Sequence, residues 1–315
     1  MAKIVVLNGQ RINYDGLIDY NILGDDVTVY ENSTSEEILP RLEGAEIAVT
    51  KELVLTPEQV LALPDSVKLI CEAGTGYNNI PLEAAKQKGV MVCNIPAYST
   101  QRVAHTAIMM LLALSSNMQK QITMLRQGDR SNFTQHLMVP HTEVNGKTLG
   151  IIGAGNIGRA VIRIAQALDM KILAYTRTPR ADEDGIHYCS LDEVLSQSDY
   201  ISLHCPLNEQ TRHIIDAAAI EKMKPTACLI NTSRGALVDE PALIAALQAN
   251  RIAGAALDVQ ETEPPMQDNP LYTLENVILT PHMGWKGLET RQRLVEILAG
   301  NIKAYEKGEP VNRVI

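Results

Sequence analysis

Short apolar runs alternate with amphipathic segments along almost the whole chain. In the first third, Ile4–Leu7, Val27–Tyr30, Glu46–Thr50, Lys68–Cys71 and Val90–Asn94 have the length and β-branched content of strands. Between them lie pieces with helical spacing, such as SEEILPRLEG, TPEQVLALP and PLEAAKQKG. Strands alternating with helices predict a mostly parallel sheet. Residues 100–128 then read as one long helix, and 131–146 as a polar, irregular connection. A second series follows, with candidate strands Thr148–Ile152, Lys171–Tyr175, Ile186–Cys189, Tyr200–His204, Ala227–Ile230, Ala253–Asp258 and Val277–Thr280. Apolar residues at 294, 295, 297, 298 and 302 predict a terminal helix over Glu289–Glu306, which the pattern assigns to neither half. The chain of 315 residues is long enough for two domains, so the reading is α/β with two Rossmann-like domains and a boundary near residue 100.

Composition narrows the classes. A hydrophobic fraction of 45% suits a packed core, and aromatics at 4% leave that core to aliphatic side chains. A net charge of −9 with no basic cluster argues against nucleic acid and anionic membranes as partners. The most apolar stretch, Ala107–Leu114, is far shorter than the ~20 residues a bilayer span needs. Five scattered cysteines without a C-x-x-C pair predict neither a disulfide framework nor a zinc site, so no metal is expected. The start MAKIVVLNG reads as a strand rather than a signal peptide, and with the free cysteines it suggests a cytoplasmic protein.

The stretch TLGIIGAGNIGRAVIRIAQALDMKILAYTR places Gly153, Gly155 and Gly158 in G-x-G-x-x-G spacing between a strand and a helix. In that setting the spacing points to a dinucleotide. The first glycine allows a tight turn, the second lets backbone approach a pyrophosphate, and the third lets helix and strand pack closely. The helix N-terminus offers unpaired N–H groups to the phosphates. A turn that needs glycine for sterics alone is the competing assignment. An NAD site would place an acid at the end of the next strand. Thr176 stands there instead, with Arg177 and Arg180 after it, a set that suits a 2′-phosphate. NADP is therefore favoured, with NAD possible if these arginines are only solvated loop charges.

In open parallel sheets, ligands gather at the carboxyl ends of strands. Those ends carry Arg234 in NTSRG, Asp258 in AALDV, Glu263 in ETEPP and His282 in TPH. Arg234 can fork onto a substrate carboxylate. His282 can give a proton to a carbonyl oxygen that is being reduced. Glu263 can hold the imidazole and favour its protonated form. Against this stand plainer roles: Arg234 pairing with Asp239 or Glu240 to order a loop, Glu263 as a solvated turn residue, and His282 as a backbone-bonded histidine. His204, at another strand end, reads as ordering the turn before Pro206.

CEAGTGYNNI, NIPAYST, GKTLGIIGAGNIG, SLHCPLNEQTRHII, MKPTACLINTSRGALVDE, AGAALDVQETEPP and VILTPHMGW together resemble the D-isomer-specific 2-hydroxyacid dehydrogenases over residues 65–315. The glycerate dehydrogenase and hydroxypyruvate reductase branch looks most similar. The resemblance implies a flavodoxin-like substrate domain from residues 1–99 plus 286–315 around an inserted doubly wound dinucleotide-binding domain over 100–285. By the same resemblance, Arg234, Glu263 and His282 are the catalytic set. Gly74, Thr75 and Gly76 form the loop whose N–H groups bind the substrate carboxylate. Asn156 and Ile157 contact the pyrophosphate. Cys205, Pro206 and Thr211 line the adenosine side, Thr232 and Asp258 lie on the nicotinamide side, and Ser233 is a further cofactor-binding residue. It also implies a homodimer through the long helix. Three positions depart from the pattern: His105, Gln260 and Thr176.

Together these readings lead to an NAD(P)H-dependent reductase of a small 2-keto acid, hydroxypyruvate or glyoxylate first, acting in an interdomain cleft. A dinucleotide-sensing corepressor or scaffold of the same fold is the alternative, and it predicts little turnover.

Overall fold

The computed structural model describes residues 2–315. The chain forms two compact units, one from residues up to Ser99 with Trp285–Ile315, the other from Thr100–Gly284.

The first unit holds five parallel strands: β1 (Ile4–Val6), β2 (Val27–Val29), β3 (Ile47–Thr50), β4 (Leu69–Glu72) and β5 (Met91–Cys93), in the order β2-β1-β3-β4-β5. Alternate residues feed the two faces. Ile4, Val6, Ile47, Val49, Leu69 and Cys71 pack on Leu294, Val295, Leu298 and Ile302 of the helix Leu288–Glu306. Val5, Ala48, Ile70 and Val92 pack instead on Leu42, Val60, Ala84 and Ala85. Both faces are therefore covered, which is why these runs read as apolar without alternation. The terminal helix that the pattern left unassigned belongs to this unit. Arg291, 2% exposed, holds it to the chain start by hydrogen bonds to the Asp15 carboxylate and the Ile12 carbonyl.

The second unit holds seven parallel strands: β6 (Thr148–Ile152), β7 (Lys171–Tyr175), β8 (Ile186–Tyr188), β9 (Tyr200–Leu203), β10 (Cys228–Asn231), β11 (Gly254–Leu257) and β12 (Val277–Leu279). Their order is β12-β11-β10-β9-β6-β7-β8. The chain winds outward from β6 in one direction, then crosses to β9 and winds in the other. The switch point thus lies between β6 and β9, where doubly wound sheets bind ligands. Leu149, Ile151, Ile230 and Ala256 face helices Thr100–Ser115 and Asn156–Ala167, and Ile201, Leu203, Leu229 and Leu257 face the opposite layer.

The expected single helix over 100–128 is broken. Helix Thr100–Ser115 ends, Asn117 takes a left-handed φ of 48°, and Met118–Arg126 starts anew. The Ser115 and Ser116 hydroxyls both donate to the Leu112 carbonyl, which also accepts the Ser116 N–H. The expected connection over 131–146 contains a short helix, Ser131–Thr134. Among the described residues no helix is long and apolar enough to cross a membrane.

Candidate functional site

The glycine turn stands at the switch point, between β6 and the helix Asn156–Ala167. Gly153 has φ 101°, and a Cβ there would meet the His204–Cys205 backbone at the end of β9. A Cβ on Gly158 would overlap the Gly153 carbonyl oxygen. These two glycines are fixed by the protein's own packing. Gly155 differs: no atom lies within 4 Å of where its Cβ would be. It opens onto empty space at a helix start that no side chain caps, with Asn156 exposed and Ile157 half-buried beside it. Unpaired N–H groups facing open space suit a pyrophosphate. Gly155→Ala is therefore expected to leave the melting temperature nearly unchanged while weakening NADPH binding about tenfold or more, as thermal unfolding and a fluorescence titration would show. A turn that needs its glycines for sterics alone would show the reverse.

Neighbouring strand ends complete this edge. The Ser233 hydroxyl donates to the Cys205 carbonyl at 2.8 Å, joining the ends of β10 and β9. Thr211 Oγ1 donates to the Pro206 carbonyl at 2.6 Å and closes the loop after β9. Thr232 Oγ1 and Gln260 Oε1 are buried without a protein partner, an arrangement a ligand's polar groups can satisfy. At the end of β7, Thr176 Oγ1 donates to the Thr178 carbonyl, and Arg177 and Arg180 are exposed. Among the described residues no ion pair involves Arg177. The residues present fit a bound dinucleotide.

His282 lies beyond β12. Its Nδ1 is 2.7 Å from Glu263 Oε2, and the Gln260 N–H donates to Glu263 Oε1 at 3.1 Å. Glu263 is thus no free turn residue. The His282 backbone is left-handed, φ 48°, a conformation a bulky residue adopts only when its surroundings fix it. Asp258 does the fixing. Its carbonyl accepts the His282 N–H at 2.9 Å. Its buried carboxylate accepts from Thr280 Oγ1 at 2.5 Å and from the Met283 and Gly284 N–H groups at 2.8 Å each. Spacing gave no sign of this bracing role for Asp258.

Arg234 follows β10. Asp239 caps the helix Glu240–Gln248 instead of pairing with it, and Glu240 accepts from the Glu261 N–H and Asn269. Among the described residues Arg234 makes no ion pair. Its Nη1 donates to the Ser233 carbonyl at 2.8 Å. Gly235 lies so close to the Gln260–Glu261 peptide that a Cβ would overlap it, which sets the arginine turn against the segment leading to Glu263. Asp258, Glu263, His282 and Arg234 all follow the ends of β10, β11 and β12, three adjacent strands.

In the other unit, Gly74 is buried and Thr75 exposed. The Ile95 N–H donates to the Gly74 carbonyl at 2.9 Å, and Asn94 Nδ2 to the Thr75 carbonyl at 2.8 Å. Three further possible metal ligands, His187, Cys189 and Glu193, come within 4.8 Å of one another. They lie by β8, at the opposite sheet edge from β12.

His204 bonds back to Ser202, Nε2 to Oγ at 2.9 Å. Part of the residue reaches the surface, yet burial pushes its imidazole from 6.5 down to about 4. The folded ring stays neutral where the unfolded one takes up a proton. Its contribution is thus complete above pH 6.5 and lost as pH falls toward 4, at most about 3 kcal/mol. Urea unfolding at pH 7 and pH 4.5 is expected to show a smaller stability loss in His204→Asn than in the parent.

A doubly wound parallel sheet with this turn at its switch point is the fold of a dinucleotide-dependent oxidoreductase. Residues 108–284 match the family model of the D-isomer specific 2-hydroxyacid dehydrogenase NAD binding domain. The chain is 38% identical over 322 residues to a hydroxypyruvate reductase of Blautia hydrogenotrophica, covering 99% of each. It is 40% identical over 290 residues to a glycerate dehydrogenase of Methylorubrum extorquens, covering 90% of each. An acyclic imino acid reductase solved with NADPH and D-Arg superposes with TM-score 0.87 at 33% identity, over 99% of this chain and 100% of that one. The chain belongs to the D-isomer specific 2-hydroxyacid dehydrogenase family. It is an oxidoreductase with an NAD(P)-binding domain, as its motifs implied.

Proposed function

We propose that the protein reduces a small 2-keto acid, hydroxypyruvate or glyoxylate in type, to the D-2-hydroxy acid, with NADPH favoured over NADH. The observation that carries this is the His282–Glu263 hydrogen bond of 2.7 Å beside the strand ends that follow the switch point. Glu263 occupies Nδ1, so Nε2 is the nitrogen left to give a proton to the substrate's carbonyl oxygen. Arg234 spends Nη1 on Ser233; Nε and Nη2 are the pair that forks onto the carboxylate and polarises the adjoining carbonyl. The Gly74, Thr75 and Gly76 N–H groups are the first unit's candidate for receiving a substrate carboxylate. Reduced nicotinamide supplies the hydride. The substrate class is supported by the two relatives named for hydroxypyruvate and glycerate.

The NADPH preference rests on Thr176, where a carboxylate would repel a 2′-phosphate, and on exposed Arg177 with no acidic partner. Gly155, Asn156 and Ile157 bind the pyrophosphate in the turn that Gly153 and Gly158 shape, and Thr232 and Asp258 border the nicotinamide, with Ser233 as a further cofactor contact. A second copy of the chain covers the apolar face made by Met109 and Leu112 with Met118, Ile122 and Leu125, each at least 40% exposed. Five free cysteines suit a reducing compartment such as the cytoplasm.

The test follows NADPH absorbance with hydroxypyruvate, glyoxylate, pyruvate and longer keto acids, repeated with NADH, and adds light scattering for the dimer. Turnover is expected to be fastest on the two- and three-carbon acids with NADPH. Weak turnover on every acid would favour the corepressor-like alternative.

A further inference from the structure

The end of β3 carries buried charge that the proposed reaction does not use. Lys51 is 3% exposed and Glu72 is fully buried. The Lys51 ammonium lies 2.7 Å from Glu52 Oε1 and 4.1 Å from the centroid of the Trp285 ring. Glu72 collects three hydrogen bonds, from Thr50 Oγ1 at 2.8 Å, the Glu52 N–H at 3.1 Å and Asn79 Nδ2 at 2.8 Å. These bonds tie the end of β3 to both ends of segment 73–78. A Cβ on Gly74 would lie 3.0 Å from Glu72 Oε1 and 3.2 Å from Lys51 Nζ. A buried acid and a buried ammonium thus flank the first residue of the loop assigned above to the substrate carboxylate.

Two of these partners, the Glu52 N–H and Asn79 Nδ2, can only donate, and the Thr50 hydroxyl can donate as well, a set that suits a carboxylate. Burial holds the group above the ordinary glutamate range, although Lys51 and the donors pull against it. Burial also works against the Lys51 ammonium, but Tyr98, Glu52 and Glu72 outweigh it and hold Lys51 above the ordinary lysine range. An anion fixed beneath a loop that must receive a second anion repels it unless a cation stands close by.

We propose that Lys51 is a positioning residue for substrate binding: it neutralises Glu72 beneath Gly74–Gly76, so that Glu72 braces the loop without repelling the keto acid's carboxylate. The inference rests on the reading of that loop as the carboxylate site.

Three variants of the full chain separate charge from packing, with oxalate as the probe anion. Lys51→Met leaves Glu72 uncompensated. Glu72→Gln removes the anion and keeps the side chain's shape, its amide oxygen still accepting from Thr50 and Asn79 while the Glu52 N–H loses its acceptor. The double variant Lys51→Met/Glu72→Gln removes both buried charges and leaves the Glu52 carboxylate, 33% exposed, partly solvated. Oxalate affinity is read by calorimetry on the NADPH complex and by inhibition of glyoxylate reduction. The chain's single tryptophan, Trp285, touches the ammonium, so its fluorescence reports whether the cluster is intact in each variant.

Lys51→Met is expected to weaken oxalate about tenfold or more, and Glu72→Gln to tighten it about threefold. The double variant is expected to return to within about threefold of the parent. A brace acting through packing alone would weaken oxalate in all three, most in the double. Weaker oxalate in Glu72→Gln, or unchanged oxalate in Lys51→Met, overturns the proposal. Should Lys51→Met fail to fold, the sign of the Glu72→Gln effect decides. A parent that neither binds oxalate nor reduces any 2-keto acid overturns the reading of the loop and this inference with it. A parent that does both, with variants of the wrong sign, overturns this inference alone.

Discussion

His282→Ala is expected to lower kcat by about 10²- to 10⁴-fold, with much smaller changes in the KM for keto acid and the Kd for NADPH. Reduction of a carbonyl places negative charge on oxygen as hydride arrives at carbon, and without a donor that charge must wait for water. The 2.7 Å bond to Glu263 fixes the ring by Nδ1, and Asp258 fixes the left-handed backbone that carries it. Pre-positioned donors act through kcat because their strongest interaction is made in the transition state. Steady-state kinetics at saturating NADPH checks this, with circular dichroism to confirm folding. A variant within about threefold of the parent kcat would remove His282 from the proton step. A fall confined to KM would recast it as a binding group.

How much of this was legible beforehand depends on the kind of contact involved. Strands such as Ile47–Thr50 and Cys228–Asn231 are buried on both faces, so they stand out as apolar runs whatever else the fold does. The glycine turn was legible for a related reason: Gly153 and Gly158 answer local steric needs and Gly155 leaves room for a ligand, and the spacing of those needs is written in consecutive residues. His282, Glu263 and Arg234 could be singled out as candidates because they follow strand ends, and parallel strands bring such ends to one edge. Contacts between distant segments were not legible. Nothing in the spacing marks Asp258 as the brace of residues 280–284, and Arg291 finds Asp15 across 276 positions. No motif or spacing singles out Lys51 or Glu72. Their meaning lies in burial and in sharing Gly74 as a neighbour, and neither is visible along the chain. Nothing in the apolar spacing marks the break at Asn117.

Arg234→Ala is expected to raise the KM for the keto acid about 30-fold to several-thousand-fold, the equivalent of ~2–5 kcal/mol for truncating one partner of a desolvated, hydrogen-bonded charge pair. The guanidinium is half-buried, has no acidic partner among the described residues and spends one nitrogen on Ser233. A permanent cation left this way on the ligand-binding edge of a sheet is stabilised chiefly when an anion arrives. Because Gly235 fits closely against the Gln260–Glu261 peptide, the turn should keep its shape without the side chain, so the loss reports the guanidinium itself. Arg234→Lys keeps the charge but not the planar fork, and should recover only part of the affinity. Initial rates over a range of glyoxylate, with NADPH affinity measured separately, distinguish the cases. If both variants bind the keto acid like the parent, the carboxylate is held elsewhere. If the lysine variant is fully restored, charge alone matters and the forked geometry does not.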